Sequence, residues 1–141
     1  MVDTNILIYA YDRTDPDKQA RAQALITERI DDGSLVVSAQ VLNEFYNRAT
    51  RPNKPPALLH EAAAAIVQNI VDASLVLPLT SGVTLRALDA VERHGMAFWD
   101  ALIWAAAREN GVTVIYTEDT PGAPQIEGVR YINPFVAGGE D

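Results

Sequence analysis

The sequence predicts an α/β fold with a mainly parallel sheet. Short apolar runs alternate with longer stretches of helical periodicity along the chain, which is the pattern of strands joined by crossover helices. The 141 residues contain no internal repeat and no low-complexity tract. A chain of this length fits one domain with a core of its own.

The predicted strands are short and apolar. The clearest is residues 112–116, Val-Thr-Val-Ile-Tyr, because β-branched and aromatic side chains favour a strand. The predicted set is residues 1–3, 35–37, 75–77, 112–116 and 129–132.

The predicted helices have recognisable ends. Ser38 suits the N-cap of one helix, and Gly95 suits the position that follows the last turn of another. The helices are predicted at residues 16–31, in the segment after Ser38, in an alanine-rich segment that ends near Val71, and at residues 81–94 and 98–110. We expect residues 1–135 to form the domain and residues 136–141 to form a flexible tail.

Composition excludes several kinds of site. The chain has no cysteine, so it has neither disulfides nor thiolate ligands. It has no apolar run of the roughly 18 residues that span a bilayer, and no basic segment precedes an apolar one at its start. We therefore expect a cytoplasmic protein without membrane contact. The net charge of −8 argues against non-specific nucleic-acid binding, although a metal site would neutralise clustered acids.

Four acidic residues lie where predicted strands end or helices begin. Asp3 follows the first strand, Asp119 follows the strand that ends at Tyr116, and Glu44 and Asp100 lie near the starts of two helices. The carboxyl ends of parallel strands meet at one edge, where sites of α/β sheets form. Each acid alone also fits a turn or a helix N-terminus. Their joint placement predicts an acidic pocket.

The motifs around these acids resemble those of the PIN-domain family, and within it those of the VapC-like toxins of bacterial toxin–antitoxin pairs. The resemblance covers nearly the whole chain and rests on residues 2–7, 38–44, 98–103, 117–119 and 132–135. It implies a three-layer α/β/α domain and Mg²⁺- or Mn²⁺-dependent endoribonuclease activity that leaves a 5′-phosphate and a 3′-hydroxyl.

The resemblance also implies roles for individual residues. Asp3, Glu44, Asp100 and Asp119 match the four catalytic, metal-binding acids of the family in order. We expect Asp3 and Asp100 to contact the metal directly, and Glu44 and Asp119 to act through water or a second ion. Supporting polar positions are matched by Thr4, Asn5 and Thr117.

Other residues have more than one interpretation. Arg48, Arg51 and Lys54 follow Glu44 and are candidates for RNA contact, or they form a solvated helix end. Trp99 and Trp104 are predicted to belong to the core rather than to a base-stacking surface.

The partners expected are an RNA substrate, a small antitoxin and a second copy of the chain. Apolar side chains on the helices after Pro16 and Ser38 are expected to form a groove for an antitoxin helix. The competing functions are a phosphatase or phosphotransfer domain and a non-catalytic binding module with an acidic pocket. The phosphatase motif Asp-x-Asp is broken at Asp3-Thr4-Asn5, and neither Lys18 nor Lys54 follows the last strand, as a receiver domain requires.

Overall fold

The computed structural model describes residues 1–136. It contains six helices and five strands within that range. In chain order these are α1 (Thr4–Tyr11), α2 (Pro16–Asp31), β1 (Val36–Ser38), α3 (Ala39–Ala49), α4 (His60–Ala73), β2 (Leu75–Leu77), α5 (Ser81–His94), α6 (Phe98–Glu109), β3 (Val114–Tyr116), β4 (Gln125–Ile126) and β5 (Val129–Ile132).

The strands form a mainly parallel sheet, as the sequence predicts. Strand β1 pairs in parallel with β2, and β3 pairs in parallel with β5, while the short β4 adds to β5 in antiparallel orientation. The first three residues join the two groups. The Val2 amide donates to the Val36 carbonyl at 3.0 Å, and the Asp3 amide donates to the Tyr116 carbonyl at 2.9 Å. Residues 1–3 therefore lie in the middle of the sheet, although only Val2 has a strand-like bridge.

The helices complete a three-layer α/β/α arrangement. Helix α1 packs against both α2 and α3, and α3 packs against α4 and β1. The hairpin of α5 and α6 packs against β3 and β5 through α6. Trp104 of α6 is fully buried, and its indole N–H donates to the Ile126 carbonyl at 3.2 Å. This bond satisfies the one polar atom of the largest core side chain.

Ser38 acts as the predicted N-cap of α3, and Asp15 is a further N-cap, at the start of α2. Ser38 accepts from the Val41 amide, and Asp15 accepts from the Lys18 amide in front of Pro16. Gly95 ends α5 with φ of 66°, a left-handed conformation that suits glycine.

Helix α1 is absent from the sequence prediction. Its residues are apolar almost all round and six of the eight are buried, so the segment has no polar face and no helical periodicity to detect. Its N-cap is Asp3, whose carboxylate accepts from the Thr4 amide. Strand β4 is also absent from the prediction, because two residues carry no pattern.

Two further expectations concern exposure and the tail. Trp99 is 63% exposed, so the prediction that Trp99 belongs to the core is wrong. The same prediction is confirmed for Trp104, which is fully buried. Most of the predicted tail, residues 137–141, lies outside the described residues. Across residues 1–136, no helix is both long and apolar enough to cross a membrane.

Candidate active site

Asp3 occupies the end of the central three-residue segment and accepts three hydrogen bonds. One carboxylate oxygen accepts from the Thr4 amide at 2.6 Å. The other accepts from the Thr117 hydroxyl at 2.7 Å and from the Asn5 amide group at 3.3 Å. Asp3 therefore has a structural role as the N-cap of α1, and it also presents a carboxylate at the edge of the sheet.

Asn5 and Thr117 connect Asp3 to Asp119. The Asn5 amide group donates to the Thr117 hydroxyl oxygen at 3.0 Å and faces an Asp119 carboxylate oxygen at 3.4 Å. The Asp119 backbone amide donates to the Thr117 hydroxyl oxygen at 3.1 Å. Thr117 is 1% exposed and Asn5 is 7% exposed. These two buried side chains thus hold the ends of β3 and of residues 1–3 in register.

Glu44 belongs to the same site through Thr4. The buried Thr4 hydroxyl donates to one Glu44 carboxylate oxygen at 2.8 Å. The other oxygen accepts from the Gln40 side-chain amide at 2.9 Å. Gln40 also donates to the Trp99 carbonyl at 3.0 Å, one residue before Asp100. Helix α3 is therefore tied to residues 1–5 on one side and to the first turn of α6 on the other.

Asp100 is coupled to the other acids by charge. Its carboxylate has no hydrogen bond within residues 1–136. Partial desolvation raises the pKa of Asp100, although its side chain is exposed at the surface, and the negative charges of Asp119 and Glu44 raise it further. Burial also raises the pKa of Asp3 against the opposing hydrogen bonds from Thr117 and Thr4, with smaller contributions from Asp100 and Glu44. All four predicted acids therefore lie close enough for their charges to act on one another.

Two buried polar atoms at this region have no partner among the described residues. They are the Gln40 side-chain carbonyl oxygen and the Tyr131 hydroxyl. Burial raises the pKa of Tyr131, followed by the negative charges of Asp100 and Asp3. An unpaired polar atom is costly to bury, and neither atom offsets that cost with a contact among residues 1–136.

The chemistry of the site suits a hard divalent cation. Its donors are carboxylate, hydroxyl and amide oxygens, which Mg²⁺ and Mn²⁺ prefer. Like-charged carboxylates gain stability from a cation among them. Within residues 1–136, however, no three acidic or histidine side chains are already arranged as a metal-binding group. The donor set fits, but the carboxylates do not form a closed cage.

Glu118 anchors the segment that carries Thr117 and Asp119. The Tyr9 hydroxyl donates to its carboxylate at 2.6 Å, and Lys18 of α2 forms an ion pair with it. The Lys18 ammonium also lies 4.5 Å from the centre of the Tyr9 ring. These contacts fasten the end of β3 to α1 and α2 from outside the acidic cluster.

The remaining predicted site residues lie at the end of α3. Arg48 is one helical turn beyond Glu44, and Arg51 and Lys54 lie in the following loop. All three are exposed, and none forms an ion pair with any residue in 1–136. Their cationic groups are thus available at the surface, while a role in RNA contact stays a prediction.

Gln40 is the polar side chain of the site that sequence reasoning missed. It precedes Glu44 by four residues on the same helix, a spacing that places two side chains side by side. This spacing is the feature of the sequence that could have identified Gln40 as a neighbour of Glu44. Its second bond, to Trp99, joins residues 59 apart in the chain and has no signature in the sequence.

The comparisons with known proteins agree with this architecture. A family model for the PIN domain matches residues 1–121. No curated protein matches the chain significantly.

Two solved structures have a similar fold. Mycobacterium tuberculosis VapC20, described as a sarcin–ricin loop cleaving toxin, is 23% identical with a TM-score of 0.67, over 84% of this chain and 88% of its own. VapBC2 from Rickettsia felis, bound to a fragment of its promoter DNA, is 16% identical with a TM-score of 0.59, over 84% of this chain and 86% of the matched chain. At these identities the likeness concerns the fold. With the family match over residues 1–121, it follows that this chain belongs to the PIN-domain family.

Proposed function

We propose that this protein is a metal-dependent endoribonuclease and the toxin of a type II toxin–antitoxin pair. The observation that carries the proposal is the cluster of Asp3, Glu44 and Asp119, joined through Thr4, Asn5 and Thr117, with the charge of Asp100 facing it. The PIN-domain fold supports it, and so does the description of VapC20 as a sarcin–ricin loop cleaving toxin.

Each acid has a role in this proposal. Asp3 and Asp100 bind Mg²⁺ or Mn²⁺ directly, and Glu44 and Asp119 orient water around the ion or hold a second one. When bound, the cation lowers the pKa of a water molecule and stabilises charge on the phosphate oxygens. Thr117 and Asn5 orient the Asp3 carboxylate by donating to it, and the Thr117 bond opposes the rise in the pKa of Asp3. Thr4 orients the Glu44 carboxylate by donating to it.

The basic side chains complete the substrate site. Arg48, Arg51 and Lys54 contact phosphates that flank the cleaved bond, which compensates for the net charge of −8. Attack by water in line with the leaving oxygen gives a 5′-phosphate and a 3′-hydroxyl.

The decisive experiment is RNA cleavage by the purified protein with Mg²⁺ or Mn²⁺, with excess EDTA, and with Asp100→Asn. We expect EDTA to abolish cleavage and Asp100→Asn to slow it by several orders of magnitude. Asp17→Asn is the matched control, because Asp17 is an exposed acid in the first turn of α2, as Asp100 is in the first turn of α6. Undiminished cleavage in EDTA would refute the metal mechanism. Hydrolysis of a small phosphomonoester without RNA cleavage would favour a phosphatase instead.

The proposed antitoxin binds beside the acidic site. The sequence predicts a groove formed by apolar side chains on α2 and α3, but α1 contacts both of these helices. The structure instead has a groove of about 460 Å³ between α3 and α4, lined by Leu42, Asn43, Tyr46, Ala64, Val67, Gln68 and Val71. Its apolar lining suits the apolar face of a partner helix, and a basic segment of the same partner would pair with the carboxylates.

Co-expression with the product of the neighbouring gene tests this partner. We expect co-purification, loss of RNase activity, and weaker binding in Val71→Asp, which puts a charge at a 41% exposed valine of the groove. Leu79→Asp, outside the groove at 45% exposure, is the control. A neighbouring product that neither binds nor restores growth would end the toxin–antitoxin assignment.

The proposed homodimer has a separate test. Light scattering over a concentration series should give twice the mass of the 15.3 kDa chain, and a monomer at every concentration would contradict it.

A further inference from the structure

Gln40 lies at the junction of two helices that carry acids of the candidate site. It is 4% exposed and occupies the first turn of α3. Its amide nitrogen lies 2.9 Å from a Glu44 carboxylate oxygen and 3.0 Å from the Trp99 carbonyl oxygen. Both neighbours are acceptors, so the two hydrogens of the amide group are both used.

These two bonds relate Glu44 to Asp100. Glu44 is on α3, and Asp100 follows Trp99 in the first turn of α6. The Thr4 hydroxyl holds the other Glu44 oxygen at 2.8 Å. Both oxygens of the Glu44 carboxylate therefore accept a hydrogen bond. The Gln40 side chain that donates one of these bonds also donates to the first turn of α6, which carries Asp100.

One atom of the Gln40 amide group makes no stabilising contact with the described residues. Its carbonyl oxygen is buried without a hydrogen-bond partner among residues 1–136, which costs desolvation free energy. A methionine fills nearly the same volume without burying an unpaired oxygen. Packing alone thus gives no reason for an amide here, and its two donor bonds are what it contributes.

We propose that Gln40 is a positioning residue that fixes the Glu44 carboxylate relative to the first turn of α6, so that Glu44 and Asp100 can serve one divalent cation. The inference rests on the proposed function for the presence of that cation. Without Gln40, the two like-charged groups are free to separate, because Coulomb repulsion favours a longer distance between them. Gln40 acts through Glu44 and the helix, and touches neither substrate nor reacting atoms.

The test is Mn²⁺ binding by Gln40→Met, measured by electron paramagnetic resonance or calorimetry without RNA. We expect affinity to fall about 10- to 100-fold, the usual effect of losing a group that orients a metal ligand. Metal-free Gln40→Met should stay folded but melt below the wild type, because the lost bonds to Glu44 and to the Trp99 carbonyl outweigh the removal of the unpaired oxygen. In RNA cleavage, kcat should recover at saturating Mn²⁺, with KM for RNA unchanged.

Two further variants keep the result interpretable. Gln40→Leu also removes the amide but has a different shape, so agreement with Gln40→Met separates the lost donors from altered packing. Gln23→Met is the control, because the Gln23 amide donates at 2.8 Å from α2 to the Ala10 carbonyl and has no carboxylate partner. We expect its Mn²⁺ affinity to equal that of the wild type.

Wild-type Mn²⁺ affinity in both Gln40 variants would overturn the proposal. So would a raised KM for RNA that persists at saturating Mn²⁺, which would make Gln40 a substrate contact. If the wild type binds Mn²⁺ more tightly than the Gln40 variants yet cleaves no RNA, the nuclease proposal fails and the role of Gln40 stands.

Discussion

The hydrogen bond from Thr4 to Glu44 makes a quantitative prediction for Thr4→Val. Thr4 is 2% exposed, and its hydroxyl lies 2.8 Å from the carboxylate. Valine has nearly the same shape and the same branching at Cβ, so α1 and the core around it should be preserved. The change therefore removes one donor and leaves a methyl group against a charged oxygen.

The magnitude follows from the charge of the acceptor. A hydrogen bond to an ionised group contributes about 1.5–3 kcal/mol to the free energy of unfolding. Glu44 is only half-buried and keeps its bond from Gln40, so the lower end, about 1.5 kcal/mol, applies. For 141 residues, the entropy of unfolding is about 0.3 kcal/mol/K, and Tm should fall by about 5 °C.

The assay is urea and thermal unfolding of the metal-free protein. Thr50→Val is the matched control, because the Thr50 hydroxyl donates at 2.8 Å to the Tyr46 carbonyl, an uncharged acceptor at the exposed end of the same helix. We expect its loss to stay below about 0.5 kcal/mol. Equal stability of the two variants would refute the idea that Thr4 stabilises the folded protein through the Glu44 charge.

Three further predictions concern metal, pH and substrate. Saturation with Mn²⁺ at about 100 times its Kd should stabilise the wild type by about 2.7 kcal/mol, or about 9 °C in Tm, and Asp100→Asn should lose most of this shift. Because the pKa of Asp100 is raised in the folded protein, the ionisation of Asp100 opposes folding. The stability of metal-free Asp100→Asn relative to the wild type should therefore grow as the pH rises through that pKa. A difference in stability that does not change with pH would contradict this. Exposed Trp99 adjoins Asp100 in the first turn of α6, so we expect it to stack on a base of single-stranded RNA, and Trp99→Ala should raise KM about 10-fold. Binding of RNA should quench the fluorescence of exposed Trp99 but not that of buried Trp104, and quenching that survives in Trp99→Ala would exclude Trp99 as the stacking surface.

Much of the fold is determined by local sequence signals. Helix α2 has the predicted bounds of 16–31, because Asp15 and Pro16 define its start and Gly33 follows its end. The strand that ends at Tyr116 is equally clear from its β-branched residues, although it begins at Val114 rather than at Val112. Such signals act over a few residues, and so they can be read without the rest of the chain.

The sequence also selects the four acids, but only through their order and the motifs around them. Asp3 and Asp119 are 116 residues apart, and nothing local distinguishes either from a turn or capping residue. Their roles as metal ligands remain predictions, whereas their placement around Asn5 and Thr117 comes from the pairing of residues 1–3 with β3.

Tertiary structure alone decides the features that depend on contacts between distant segments. Helix α1 exists as an all-round apolar helix because α2 and α3 cover it. Trp99 is exposed and Trp104 buried, although both are tryptophans of one helix, because Trp104 lies against β4, where its indole N–H donates to the Ile126 carbonyl. The bond from Gln40 to Trp99 likewise requires α3 and α6 to be neighbours. Burial and long-range hydrogen bonding are properties of the packed chain, since each depends on which segments the fold brings together.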